Sequence, residues 1–206
     1  MTKADAAAPD VPGVGGAPLQ RSREGAIACW YSEGGVTSGA AKDELLAFHG
    51  VVQSFFQAGA VVPFRFPTTL ADAATLSAWL KANATAVARE LNRLSGRAQM
   101  EVHIVVKKNP APSGGREYLE GRRDAQSALR DAGVAARQRV AGLAAEWRER
   151  ETREGLRCYA LVARGREREF AEKIGEGGAS SPAVTVRVTG PWPPAEFLDP
   201  ALTTPS

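Results

Sequence analysis

A glycine- and proline-rich segment close to the C-terminus restricts the fold of this chain more than any other stretch. It reads Thr189-Gly190-Pro191-Trp192-Pro193-Pro194 and follows residues 184–188, where every second residue is apolar as in a strand. Gly190 permits backbone angles that are closed to other residues, and the prolines fix φ and lack the N–H donor. The strand is therefore predicted to stop at Gly190 and to continue as a semi-rigid extended ribbon.

Two aromatic side chains, Trp192 and Phe197, are carried by this ribbon and the residues after it. The ribbon either latches onto its own domain or presents both rings to a partner as anchors. The residues alone leave both alternatives open.

Size and composition are those of a folded protein. The chain has 206 residues, 44% of them hydrophobic and 24% charged, which is enough for one domain with a good core or for two small ones. No apolar run approaches the roughly 20 residues that span a bilayer, and the N-terminus lacks the apolar core of a signal peptide. We therefore expect a cytoplasmic protein with no membrane partner. Cys29 and Cys158 lie in apolar strand-like runs and are predicted to be buried thiols.

The charges argue against a nucleic-acid partner. The formal net charge is only +3, and nine arginines alternate with eight acidic residues between Arg116 and Glu154. Such alternation is typical of a solvated, ion-paired helix face, whereas a phosphate-binding stripe needs cations without interleaved acids.

The first half of the chain reads strand, helix, strand, helix, strand. The pattern predicts a loose arm over residues 1–22 and then an α+β domain over residues 23–108. Apolar periodicity within that domain places the elements at 26–31, 42–57, 60–67, 72–95 and 97–106.

The second half begins after a linker at residues 109–115, which is rich in proline and glycine. Helical spacing of apolar residues continues from Tyr118 to Trp147 and predicts a long helix, to about residue 153, that joins the two domains. A strand, a short helix and a strand follow at 156–163, 166–174 and 184–188. The C-terminal α+β domain is thus predicted over residues 116–198, with a loose end at 199–206.

No motif in the sequence points to catalysis. It contains no phosphate-binding glycine motif, no serine in a nucleophile elbow, and no cysteine and histidine cluster with metal-ligand spacing. We therefore predict no catalytic residue, no metal, no cofactor and no enzymatic activity.

Four stretches, in order along residues 11–198, resemble the GvpL/GvpF family of gas vesicle proteins. They are Val11–Pro18 leading into Gly25–Ala28, His49–Val52 with Val62–Phe66, Gly115–Leu119 with Arg122-Arg123, and Gly190–Pro194 with Phe197. The closing Gly-Pro-Trp-Pro-Pro motif is the most specific of the four.

The resemblance implies a two-domain α+β protein with a ferredoxin-like N-terminal domain. Residues 1–10 show no strand pattern where the family has its first strand. The residues leave open whether the N-terminal domain lacks that strand. The resemblance also implies a non-enzymatic role in gas vesicle assembly, located at the vesicle, with the shell protein and other accessory proteins as partners.

Candidate structural or partner-binding residues come from the same motifs: Phe64, Arg65, Phe66, Tyr118, Trp192, Pro193, Pro194 and Phe197. Ala195 stands where family members commonly have an aromatic residue, which favours the latch, with Trp192 packed mainly against its own chain. The alternative function is a ferredoxin-like nucleic-acid-binding protein. That alternative needs aromatic residues on central strands with a basic surround. Its candidate aromatic residues are Tyr31, Phe64, Phe66 and Tyr159.

Overall fold

The chain folds into two compact units. The computed structural model describes residues 1–34, 41–107, 115–177 and 183–204. The first unit comprises Met1–Gly96 together with Trp192–Ser206, and the second comprises Arg97–Pro191. Each unit combines helices with a β-sheet, which confirms the predicted α+β class.

A three-stranded antiparallel sheet and two helices form the first unit. Its strands are β1 (Thr2–Lys3), β2 (Gln20–Glu24) and β3 (Ile27–Tyr31), in the order β1-β3-β2. Helix α1 spans Ala41–Ala58 and helix α2 spans Ala73–Leu94. The apolar face of α2 packs on this sheet and is buried through Leu76, Leu80, Val87, Leu91 and Leu94.

The N-terminal residues are part of this sheet, and the predicted loose arm is wrong. Met1 and Thr2 are buried, and β1 pairs with β3 through Thr2 and Ala28. β2 pairs with the other edge of β3 over five residues. The sequence of β2, QRSRE, has no apolar alternation. Backbone hydrogen bonds to the buried β3 hold β2 in place, and composition does not reveal such bonds.

Residues 60–67, predicted as a strand, run through the first unit without joining its sheet. Val61 and Val62 are buried, as a strand would bury them. The N–H of Val62 donates to the Met1 carbonyl at 2.9 Å, and the N–H of Arg65 donates to the Thr203 carbonyl at 2.7 Å. Because Pro63 and Pro67 lack the N–H donor, the segment cannot continue a regular ladder.

The second unit has a ferredoxin-like order of elements. Its strands are β4 (Arg97–Val106), β5 (Ala144–Glu151), β6 (Gly155–Ala163) and β7 (Val184–Trp192). Helix α3 (Gly115–Arg139) follows β4, and helix α4 (Glu167–Gly177) follows β6. This βαββαβ order, with the sheet order β5-β6-β4-β7, is the split βαβ arrangement.

The ferredoxin-like arrangement therefore lies in the second unit and not at the N-terminus, where it was expected. β4 was assigned to the N-terminal domain because it directly follows α2. It pairs instead with β6 along nine residues, from Arg97 opposite Ala163 to Val105 opposite Gly155. This long antiparallel pairing moves the boundary to Gly96, and most of the predicted linker at 109–115 lies outside the described residues.

Helix α3 ends at Arg139, and the predicted helix to residue 153 is wrong over its last part. Ala144 and Trp147 both pack against the core from β5. An irregularity in the β5–β6 register between Ala144 and Glu146 adds a residue there. Because a bulge offsets the alternation of side chains, two residues three apart share one face of the strand. This spacing imitates a helix in the sequence.

The core of the second unit lies between one face of its sheet and the two helices. Its residues on the central strands include Val102 and Ile104 of β4 and Cys158 and Ala160 of β6. Phe170 and Ile174 of α4 complete it and are almost fully buried. Among the helices in the described ranges, none is long and apolar enough to cross a membrane.

The strand before the proline-rich segment continues further than predicted, since β7 includes Gly190 and Pro191 and ends at Trp192. Gly190 has a φ of +125°, and a Cβ there would lie 2.9 Å from the Gln99 carbonyl oxygen. Only glycine fits this close approach of β7 to β4.

Phe197, and not Trp192, anchors the C-terminal segment in the first unit. Trp192 is 44% exposed, whereas Phe197 is 1% exposed. The Arg93 guanidinium donates to the Phe197 carbonyl at 2.6 Å and to Glu90 at 2.6 Å. The latch function inferred for this region is carried chiefly by Phe197, and Trp192 is only partly covered by its own chain.

The contrast between these two rings predicts different losses of stability. Phe197→Ala removes a fully buried ring, so we expect the free energy of unfolding to fall by about 3–5 kcal/mol. Trp192→Ala is the matched control and is expected to change it by no more than about 1 kcal/mol. Urea unfolding followed by far-UV circular dichroism measures both. Equal losses in the two variants would contradict the assignment.

Both cysteines are buried free thiols, as predicted. Burial raises the pKa of the Cys29 thiol above its ordinary value. Burial and then the nearby Glu149 carboxylate raise the pKa of Cys158 to about 12. Because the thiolate is the reactive species, both side chains are protected chemically as well as sterically.

We expect the native protein to resist thiol-specific labelling at about pH 8, where a thiol with so high a pKa is almost fully protonated. The same reagent should modify both cysteines after denaturation in guanidinium, which serves as the control for reagent activity. Mass spectrometry counts the labels in each sample. Rapid labelling of Cys158 in the folded protein would show that it is accessible as a thiolate.

Candidate apolar binding cavity in the first unit

A cavity of about 530 Å³ lies within the first unit. It is bordered by α1, by the end of β3, by the loop around Val14 and by the segment from Val61 to Ala73. Its lining is mostly apolar and includes six aromatic side chains: Trp30, Tyr31, Phe48, Phe55, Phe64 and Phe66.

Contacts between aromatic rings hold the wall of the cavity. α1 contributes Phe48 and Phe55, which lie about two helical turns apart, and the segment at 61–67 contributes Phe64 and Phe66. Edge-to-face and tilted pairs at such distances stabilise a wall beyond the area they bury. The centroid distances are 4.9 Å for Phe64 and Trp79, 5.3 Å for Trp30 and Phe55, and 5.4 Å for Phe48 and Phe66.

A hydrogen bond from its indole nitrogen and a cation near its ring hold the side chain of Trp30 in place. Its indole Nε1–H donates to the Thr2 hydroxyl at 3.1 Å, and Thr2 is itself buried in β1. The Arg21 guanidinium lies 5.5 Å from the centre of the Trp30 ring. β1 supplies Thr2 and β2 supplies Arg21, and both strands pair with β3, which carries Trp30. The polar strand β2 therefore contributes to the cavity by helping to orient this ring.

Local interactions hold several polar groups of the lining. The Tyr31 hydroxyl donates to Gln20 at 3.1 Å. The backbone N–H of Thr75 donates to the Asp72 carboxylate at 2.7 Å and lowers the pKa of that carboxyl, so Asp72 is ionised at neutral pH. Burial makes the Cys29 thiol hard to ionise. In the described ranges, no group of three or more histidine, cysteine and acidic side chains is placed to hold a metal ion. The chemistry of the cavity is that of apolar and aromatic contact.

The structure brings together only part of the predicted site. Phe64 and Phe66 line the cavity, while Arg65 between them is exposed. Tyr118 lies on α3, but its side chain is outside the described part of the chain. The other candidates do not line the cavity: Trp192 is exposed, Pro193 is half-buried, and Pro194 and Phe197 are buried.

The aromatic residues opposite Phe64 and Phe66 were not among the predicted site residues. Phe48 and Phe55 belong to the apolar stripe of α1, and Trp30 is the second-to-last residue of β3, the strand before it. A helical stripe predicts burial, but it does not distinguish the wall of a cavity from a filled core. The signal was the density of aromatic residues between 30 and 66, and only the fold shows that they face one space.

Solved structures of gas vesicle proteins have a fold similar to that of this chain. The crystal structure of the gas vesicle protein GvpF from Anabaena sp. PCC7120 matches with a TM-score of 0.74 and 17% identity, over 91% of this chain and 88% of that chain. GvpF from Microcystis aeruginosa matches with a TM-score of 0.72 and 15% identity, over 91% of each chain. At such identities the similarity shows a shared fold. No curated protein sequence matches this chain.

The sequence model of one family matches almost the whole chain. The family is described as gas vesicle synthesis protein GvpL/GvpF, and the match covers residues 1–199. It includes both units and the proline-rich segment, from which the resemblance was inferred. The chain therefore belongs to the GvpL/GvpF family of gas vesicle synthesis proteins.

Proposed function

We propose that this protein is a non-enzymatic assembly factor that binds the hydrophobic shell protein and other accessory proteins during gas vesicle formation. Membership in a gas vesicle synthesis family supports a role in gas vesicle formation. The observation that carries the molecular role is the aromatic cavity of the first unit, which suits an apolar segment of a partner protein.

The cavity combines an apolar interior with a polar, accessible rim. Thr69, Ala71 and Asp72 line it and are exposed, so the cavity reaches the surface. Aromatic rings bury a large area with little loss of conformational entropy, which makes them effective anchors for a partner. A shell subunit inserted here would have its apolar side chains shielded from water until it joins the growing wall.

Helix α1 extends the apolar surface outside the cavity. Leu46 is 58% exposed and Leu45 is 37% exposed, while Phe48 of the same helix lines the cavity. Exposed leucines beside an apolar cavity are typical of a surface that a partner covers.

The nucleic-acid alternative has less support. Tyr31, Phe64 and Phe66 line the cavity of the first unit and do not lie on the ferredoxin-like sheet. Tyr159 does lie on a central strand of that sheet, but it is only 3% exposed. Base stacking needs an accessible ring face, so Tyr159 does not provide a platform.

Deletion of the gene should reduce or abolish intact gas vesicles while the level of shell protein stays unchanged, because an assembly factor acts after synthesis of its partner. Electron microscopy of the cells and immunoblotting of the shell protein measure the two quantities. Restoration by a plasmid copy is the control. Normal vesicles in a deletion strain without a second family member would contradict the proposal.

Filling the cavity should abolish capture of the shell protein. Ala71 is exposed at the rim, so Ala71→Trp places an indole ring at the entrance without removing a core side chain. We expect at least about a tenfold weaker interaction, since the anchor site of an interface carries most of its affinity. The measurement is a pull-down with purified shell protein.

Ala78→Trp is the matched control, because Ala78 is exposed on α2 and does not line the cavity. Trp192→Ala tests the proline-rich segment in the same assay. If Ala71→Trp captures the shell protein as well as the wild type does, or if only Trp192→Ala loses capture, the binding site lies outside the cavity.

A further inference from the structure

The opening of the aromatic cavity carries acidic side chains. Glu33, two residues after β3, and Asp72, directly before α2, both line the cavity and are exposed. Among the described residues, no lysine, arginine or histidine side chain lines it. The chain as a whole has a formal net charge of +3, so an acidic opening does not follow from the overall composition.

No basic side chain of the described ranges forms an ion pair with either carboxylate. Residues 35–40, which follow Glu33 in the sequence and lie outside those ranges, include no charged residue. The N–H of Thr75 donates to Asp72 Oδ1 and lowers the pKa of that carboxyl. The dipole of α2 offsets only part of this charge, because a helix N-terminus carries less than one unit.

The positive groups closest in the sequence to the cavity lining do not reverse its sign. Arg21 and Arg65 are exposed and are not part of the lining. Met1 does line the cavity, but its amino group is buried and donates to the Val62 carbonyl at 2.6 Å. Burial lowers the pKa of this amine, which favours its neutral form. The fixed side-chain charges of the lining are therefore negative.

The aromatic wall favours the same kind of ligand as the acidic opening. The faces of aromatic rings carry partial negative charge and attract cations. Lysine and arginine also have apolar stems, which pack along an apolar wall while the charged end reaches a polar rim. A single basic side chain thus satisfies the wall and the opening together.

We propose that the cavity selects a partner segment in which a lysine or arginine stands beside the apolar residues that enter it, and that Glu33 and Asp72 bind this cation. The inference rests on the proposed function, since it names the chemistry of the segment that the same cavity takes. The apolar residues supply most of the affinity, and the two carboxylates decide which apolar segments are accepted.

The same charges act against other apolar ligands. An apolar segment flanked by acidic residues would place like charges together at the opening, which costs affinity. A fatty acid is disfavoured for the same reason, because its carboxylate would meet Glu33 and Asp72 at the rim.

The test uses the full-length protein and two short fluorescein-labelled peptides with one shared apolar core. Lysines flank the core in the first peptide and glutamates flank it in the second. Fluorescence anisotropy at low ionic strength should show about tenfold tighter binding of the lysine peptide, since attraction in one case is replaced by repulsion in the other. Equal binding of the two peptides, or binding of neither, would overturn the proposal.

The double variant Glu33→Gln, Asp72→Asn should reduce this preference to less than about twofold. Asparagine is as good an N-cap as aspartate, so the start of α2 is preserved and the variant is expected to fold. Asp5→Asn with Asp10→Asn is the matched control, because both residues are exposed in the first unit and neither lines the cavity. An equal loss of preference in the control, or a preference that persists in the rim variant, would contradict the assignment.

A pull-down of purified shell protein by the same variants separates this inference from the proposed function. We expect the rim variant to capture less shell protein than the wild type does, and the control to capture as much. Capture that is lost in Ala71→Trp but unchanged in the rim variant would overturn the charge selection alone. A wild-type protein that prefers the lysine peptide but does not capture the shell protein would support the charge selection and contradict the proposed partner.

Discussion

Pairing between β4 and β6 is the interaction on which the second unit depends. Nine consecutive residue pairs align the two strands and place residues such as Val102 and Cys158 under the helices. The same register turns His103 and Arg157 to the opposite face. One set of backbone hydrogen bonds thus builds the core and fixes which side chains lie on the opposite face, because a strand divides its side chains between two faces.

The first unit depends on contacts between distant parts of the chain. Residues near the N-terminus, the proline-rich segment around Phe64 and the C-terminal segment meet through backbone hydrogen bonds to Met1 and Thr203. Phe197 is buried in this unit, more than a hundred residues after the helix that carries Arg93. The N-terminal residue Met1 and the segment around Phe64 also line the aromatic cavity, so the contacts that stabilise this unit also shape the cavity. Family membership connects this framework with gas vesicle synthesis, and we propose that its role is to hold an apolar partner.

Patterns within single elements were predicted well. α1 and α2 lie within about two residues of their predicted bounds, and β4 was predicted at its observed limits. Errors arose where pairing decides the structure. β2 has no apolar alternation, and the bulge in β5 gives Ala144 and Trp147 the spacing of a helix. Of the residues proposed as structural or partner-binding, Phe64 and Phe66 line the cavity, and Trp192 is 44% exposed.

Local sequence therefore determined the helices, the buried strands, the free thiols and, through the Gly-Pro-Trp-Pro-Pro motif, the family. These features depend on periodicity, on side-chain chemistry or on the backbone limits of glycine and proline. All three can be recognised from residues that are close together in the sequence. Tertiary structure decided that the ferredoxin-like sheet begins at Arg97, that Phe197 is the anchor and that six aromatic side chains face one cavity. These outcomes follow from strand register and from contacts between residues far apart in the chain, and no local window contains that information.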